Sequence, residues 1–445
     1  MPEIASPSAS TLTPAKTARQ RTDTFTSIWM MIAVAMAIAT LVAKSRMPQP
    51  LWTMIHLVTL GVLSNGIFQW SWFFARSLAR LSADDPRARR HNTIRVLIFN
   101  VFFASLFVSM WLGWMVGTVI AATGIAAVAA WHGAEMLSVL RERLASRFVV
   151  VVRYYVCSAS FFVLAALLAS FVTVTMFSPS IPEAMVAMRD RLTLAHALSG
   201  VAGWVGLTIG GTVITLGPTI LRTRMSPDAV SGGVRVLLPW CLSLLLAIAG
   251  ALLGVMPLVG AGILAVGACA IVGIVYPYAK VLRNKGPREY SAWSFLLGLL
   301  WISVGVCALG VTALFISTPS QLRALTLMWL PIIGIAGFAQ LFQGALSYLM
   351  PVVIGGGPSI VRIGIAIIDW QFPLRLGLRN SALILELFLF FTSDSPSVHV
   401  LRMAGWFLVI ATFVIDVVIY AKTGVTQARA RRARSETLSE SRQVQ

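Results

Sequence analysis

Apolar runs of about twenty residues recur along the whole chain, each closed by a short basic or Gly/Pro-rich connection. A helix of that length crosses the roughly 30 Å hydrocarbon core of a bilayer. Backbone in lipid must satisfy its own hydrogen bonds, so a chain patterned this way folds as an all-α, polytopic transmembrane bundle. Composition agrees: 11% of the 445 residues are charged, where a soluble domain carries about 25%.

Twelve spans are predicted, at 24–44, 51–75, 94–112, 115–137, 149–177, 193–217, 234–254, 258–278, 291–317, 324–350, 373–393 and 397–421. No connection is long enough for a soluble domain, so 24–421 reads as one membrane domain. Residues 1–23, polar and rich in Pro and Ser, read as a disordered cytoplasmic tail. Residues 422–445 read as a basic cytoplasmic tail whose arginines lie against anionic head groups. No exact internal repeat is visible.

The formal net charge of +19 raises nucleic acid as a partner. The placement of that charge excludes it. Of 35 basic residues, only Lys44, Arg46, Arg189, Arg191, Arg323 and, close by, Arg402 fall toward the outer side. The rest lie in inner connections such as RSLARLSADDPRARRHNTIR and the stretch around Arg362 to Arg379. This bias puts both termini in the cytoplasm and makes the bilayer the expected partner.

Cys157, Cys241, Cys269 and Cys307 each stand in a different apolar run, with no CxxC spacing. They read as buried small hydrophobes, with no disulfide framework and no zinc site.

The five histidines differ in place. His91 falls in an inner basic loop and is expected to be solvated. His132 lies three residues before Glu135, so the two share a helix face and are expected to interact near the inner interface. His56, His196 and His399 open the second, sixth and twelfth spans. All three spans run inward, which places these histidines in one layer just below the outer surface. Neutral imidazole ligates haem iron and copper, so the three are candidate metal ligands. For His196 the helical wheel adds that Ser199, Gly200, Gly203, Gly210 and Gly217 share its direction. Small residues face neighbouring helices, not lipid, so His196 is expected to point into the bundle.

Among deep ionisable groups, Glu386 in the eleventh span and Arg402 in the twelfth reach similar depth on antiparallel neighbours and are expected to pair. Asn65, Gln69, Asn100, Gln340 and Gln343 are intramembrane amides expected to bond across helices. The run GALSYLMPVVIGGGPS ends the tenth span at Pro351 and a glycine triplet, a helix stop followed by a flexible loop. Neither a preceding strand nor a Lys-Ser/Thr pair supports phosphate binding there. Met185 and Met188 are soft donors that copper(I) could use.

The stretches HLVTLGVLSNGIFQWSWFF (56–74), AWHGAEML with the following RERLASRF and VRYY (130–155), AHALSGVAGWVGLTIGGT with LGPTILRTRM (195–225) and GALSYLMPVVIGGGP (344–358) carry a resemblance. The chain resembles the twelve-span, haem-copper-oxidase-like bacterial membrane proteins of the NnrS type, including the module that accompanies multicopper oxidases or copper nitrite reductases in some relatives. The resemblance implies an inner-membrane protein that binds haem or copper through His56 and His196, with a redox or copper-protein partner. It also implies departures. The seventh span, VLLPWCLSLLL, lacks a histidine pair, and the tenth has glutamines but no His-x-His. Phe73 or Phe74, and Leu198, stand where relatives carry further histidines. A working oxidase centre is therefore not expected, and the chain is not expected to be an enzyme. Three readings follow: a haem- or copper-binding accessory protein, a small-molecule permease with a cavity lined by Asn65, Gln69, Asn100 and Gln340, or a scaffold subunit that has lost its cofactor.

Overall fold

Long stretches of Leu, Ala, Ile, Met and Phe carry little helix-breaking chemistry, and the chain is helical wherever they occur. The computed structural model describes residues 15–43, 49–82, 84–144, 146–177, 182–393 and 395–443. No strand occurs among the described residues. The helices are α1 (Ala15–Ala43), α2 (Pro50–Leu78), α3 (Arg87–Trp111), α4 (Met115–Glu142), α5 (Val150–Phe177), α6 (Ala184–Ile220), α7 (Asp228–Leu253), α8 (Met256–Asn284) and α9 (Tyr290–Phe315). They continue with α10 (Pro319–Ile332 running through Ile333–Ala339 into Gln340–Ile354), α11 (Pro358–Ile368), α12 (Phe372–Phe390) and α13 (Pro396–Gln443).

Ten of these, α2 to α10 and α13, are long and apolar enough to cross a membrane. Their outward faces are apolar, with Val101 64%, Leu238 66% and Phe407 71% exposed. Such surface belongs in lipid, and the chain is a multi-pass helical membrane protein. The apolar part of α1, Phe25–Thr40, is shorter. Helix α12 has the length of a span but carries Arg375, Arg379 and Glu386.

Several boundaries depart from expectation. Helix α1 begins at Ala15, inside the stretch read as a tail, and residues 1–14 lie outside the described residues, as do Lys44 and Arg46. The segment after Gly357 is not all loop: Pro at the first helical turn starts α11 there, with Ile360, Gly364 and Ile368 buried on one face. Helix α13 does not end at 421 but runs on through the basic segment to Gln443.

The chain divides into two compact units, one built from α1–α5 and one from α6–α13. In the first, Phe68, Phe99 and Phe103 are fully buried, with the Phe68 and Phe99 ring centroids 5.0 Å apart. In the second, α7 and α8 form a hairpin closed by Gly254 at φ 77°, a left-handed helix end that favours glycine. Helices α9 and α10 touch at backbone distance. A Cβ on Gly298 would lie 2.5 Å from the Leu341 nitrogen, and one on Gly344 2.5 Å from the Phe295 nitrogen.

Five helices contain wide π-helical segments: Leu57–Ser64 in α2, Arg87–His91 in α3, Leu198–Gly206 in α6, Ile271–Val275 in α8 and Ile333–Ala339 in α10. Such segments are rare and mark functional sites more often than chance.

Candidate functional site

The most heavily charged site in the second unit begins with spacing. Arg375 and Arg379 are four residues apart on α12 and so share a face. Both reach Asp416 on α13, and none of the three is more than 4% exposed. Arg379 also donates to the Gln343 side chain at 2.9 Å and to Thr412 Oγ1 at 3.0 Å. The Arg375 guanidinium bonds the carbonyls of Ile368 and Trp370 at the end of α11, where helix carbonyls favour a cation. Tyr290, the first residue of α9, donates its hydroxyl to Asp416 at 2.7 Å, while its backbone N–H reaches Asp369 at 2.8 Å. Burial pushes the Asp369 carboxyl above the usual carboxylate range, and the Tyr290 bond offsets part of that.

Every guanidinium nitrogen of the pair therefore has an acceptor, and both carboxylate oxygens of Asp416 have donors. The cluster saturates itself while joining α9, α10, α12 and α13. Its chemistry is that of a lock. Of its members, only Gln343 was singled out from the sequence. Asp416, a lone acid in the last span opposite an i,i+4 arginine pair, is the signal that could have revealed it.

Amides form two further knots. In the first unit Asn100 Nδ2 donates to Asn65 Oδ1 at 2.7 Å, and Asn65 Nδ2 returns a bond at 3.3 Å. Trp29 Nε1 donates to the same Asn100 oxygen at 2.7 Å. In the second unit Gln340 and Asn380 exchange bonds of 3.2 and 3.1 Å, and Trp301 Nε1 donates to Asn380 at 2.8 Å. Asn65 and Gln340 are each the first residue after a π segment. The two knots are alike in pairing a reciprocal amide bond with a tryptophan donor beside a π segment. Gln69 bonds Thr26 at 3.4 Å. Asn65, Gln69, Asn100 and Gln340 are buried, and each is hydrogen-bonded within its own unit.

His132 and Glu135 each have partners on other helices. Glu135 accepts from Trp131 Nε1 at 2.9 Å, lies 2.7 Å from His91 Nδ1 and is salt-bridged by the fully buried Arg95. His132 is fully buried and lies 3.3 Å from Ser71 Oγ on α2, edge-on to Phe68. His91, expected to be solvated, thus contacts the acid assigned to His132. Helix α3 brings Arg95 to Glu135, and a helix-face argument within α4 alone could not foresee that.

The Arg402 guanidinium acts electrostatically on the Glu386 carboxyl, but without a close salt bridge. Arg402 donates to the Leu389 carbonyl at 2.8 Å. Among the described residues no ion pair joins it to Glu386, whose Oε1 is buried without a hydrogen-bond partner against Gly405 of α13.

The candidate ligands fare differently. His56 stacks on Trp52 with centroids 4.3 Å apart, and its Nδ1 lies 2.9 Å from the Trp52 carbonyl. A carbonyl only accepts, so Nδ1 carries a proton in this contact. His196 is half-buried, and on its stripe Ser199, Gly203, Gly210 and Gly217 are buried while Gly200 is half-buried. His399 is exposed in the first turn of α13. Met185 and Met188 are exposed on α6, 38% and 44%. The four cysteines are free and half-buried, less enclosed than expected. Among the described residues no three His, Cys, Asp or Glu side chains gather as a metal would require.

No family model matches the chain, and no curated protein does. The functional reading rests on the residues themselves. Two of the candidate histidines share a local setting: His56 directly precedes the π segment of α2, and His196 stands two residues before that of α6.

Proposed function

We propose that the chain is a twelve-span inner-membrane protein of the NnrS-like, haem-copper-oxidase-like type, with both termini cytoplasmic. In this reading it holds haem or copper as an accessory to nitrogen-oxide or copper metabolism, without a complete oxidase centre. Counting α1 and α12 as spans gives twelve, and the inner excess of Lys and Arg supports the orientation. A redox or copper protein is its partner.

The observation that carries the reading is the His56 imidazole. Its Nδ1–H is anchored on a carbonyl, the arrangement that orients metal-ligating histidines. His56 and His196 are the residues that would hold the group, each at the head of a π segment. A bound haem or copper would supply ligand binding at the metal or one-electron exchange. The protein's own part is to fix the His56 ring through Trp52, by stacking and by the carbonyl contact.

A second reading, a subunit that keeps the fold without cofactor, has one observation in its favour: no three potential ligands cluster among the described residues. Purification of the full chain from haem-replete, copper-supplemented cells separates the two. A Soret band or bound copper is expected, lost in His56→Ala and His196→Ala variants that keep the helical circular-dichroism spectrum. A colourless, metal-free wild type overturns the first reading and leaves the second.

A further inference from the structure

Inside the second unit, helices α6 to α10 surround a cavity of about 100 Å³. Three of its walls are π segments: Gly206 lies in that of α6, Ile271 in that of α8 and Phe338 in that of α10. A π segment inserts extra backbone and pushes its neighbours aside, and small residues beside it, Gly210, Gly267 and Ala270, leave the space unfilled. Protein interiors hold few voids larger than a water molecule, so a space of this size calls for an occupant.

Water does not suit it. A buried water needs two to four polar partners. The wall is almost wholly apolar, and the hydroxyl of Ser303 is already bonded to the Leu299 carbonyl at 2.8 Å. A metal or haem iron does not suit it either, because no His, Cys or Met side chain lines it. The occupant is apolar and uncoordinated.

Shape narrows the choice further. The lining runs from Val201 to Val213 along α6, a rise of about 18 Å. The lining thus follows α6 over more than three turns. Ile271, which lines it, is 42% exposed, and its neighbour Val272 63%. Both lie midway along α8, at the depth of lipid tails rather than head groups.

We propose that this cavity is a binding site for a single alkyl or isoprenoid chain, entering sideways from the bilayer past Ile271 and lying parallel to the helices. The mid-span mouth supplies no group for a polar head. The proposal does not depend on His56 or His196.

The test uses the full-length protein in mild detergent. Native mass spectrometry of the wild type is expected to show about one retained apolar-chain molecule per protein. Organic extraction then tells a phospholipid acyl chain from an isoprenoid tail. Ala202→Leu with Ala270→Leu fills the space and is expected to lower the retained fraction at least tenfold, while Gly377→Ala, with open space at its Cβ position, leaves it unchanged. Should the filled variant fail to fold, the wild type itself still decides. Trp240 lines the cavity, so phospholipid brominated near the chain end should quench the fluorescence that Trp240→Phe removes. Equal retention in a folded filled variant, or a Trp240 signal untouched by brominated chains, overturns the proposal.

Discussion

Arg379 and Asp416 meet with neither side chain exposed to solvent, and Arg375 closes on the other oxygen of the same carboxylate. Removing one partner of such a cluster leaves charge buried without compensation, which typically costs about 3–5 kcal/mol. Asp416→Asn should therefore destabilise the second unit by roughly that amount. Replacing all three with apolar side chains of similar size should recover most of the loss. Chemical denaturation in one detergent measures both. A change under about 1 kcal/mol in Asp416→Asn would mean that water, not protein, satisfies the arginines.

The span pattern was legible because hydrophobic length is written locally, residue after residue. Ten of the twelve predicted spans coincide with helices long and apolar enough to cross a membrane. The buried small-residue stripe of α6, Ser199, Gly203, Gly210 and Gly217, was legible for the same reason, since helical periodicity is a property of one segment. Pairing was not. Glu135 finds Arg95 and His91 on another helix, and Asp416 finds arginines that the charge pattern had assigned to an inner connection. Depth along a helix can be counted from sequence, whereas the rotation that selects a partner depends on packing. The π segments add to this. They shift the helical phase by part of a turn, so a rotation counted at 100° per residue gathers error along a helix that holds one, although Gly210 and Gly217 of α6 still fall on the buried face.

The amide knots give a direct measure of interhelical bonding in each unit. A double-mutant cycle on Asn65→Ala and Asn100→Ala should return a coupling of about 0.6–2 kcal/mol. Gln340→Ala with Asn380→Ala should return a similar value, because the two knots share the same tryptophan, reciprocal amide and π-segment geometry. Coupling near zero in one unit but not the other would break that likeness.

Gly298 lets α9 approach the backbone of α10, where an added methyl would meet the Leu341 nitrogen. Backbone cannot rotate away as a side chain can. Gly298→Ala should cost about 1–3 kcal/mol through forced separation of the helices. Gly377→Ala on α12 meets nothing within 4 Å and should instead gain about 0.5–1 kcal/mol from helix propensity. Thermal unfolding of the two variants side by side gives the sign of each. A neutral Gly298→Ala would show that α9 and α10 part easily.

Gln427, Arg431 and Arg434 on α13 donate to the carbonyls of Pro351, Ile354 and Gly356 at 2.7, 2.7 and 3.1 Å. The basic extension thereby clamps the glycine segment that was expected to be a flexible loop. Arg431→Ala with Arg434→Ala should speed amide exchange over 354–362 without affecting the exchange of α2 to α5. Hydrogen exchange read by mass spectrometry tests this. Unchanged protection of the segment would assign its order to α11 alone.

The connection before α3 supplies a pH-dependent contribution. Asp85 accepts from the backbone N–H of Arg87 at 2.9 Å and from its guanidinium at 2.8 Å, and Arg87 reaches on to Glu142 at 2.6 Å. The Arg87 side-chain bonds hold the Asp85 carboxyl below its usual range, against the opposing pull of burial. A carboxyl depressed in the folded state releases its proton more readily there than in the unfolded chain, so folding is favoured while the group is ionised. That contribution is complete above the ordinary aspartate value of about 3.9 and disappears as pH falls through the lower, folded value. Wild type should thus be more stable than Asp85→Asn at about pH 6, and the gap should close as pH falls below about 3.9. Unfolding curves collected for both proteins across that range decide it. A gap that stays constant to the acid end would show that Asp85 acts through its backbone bonds and not through its charge.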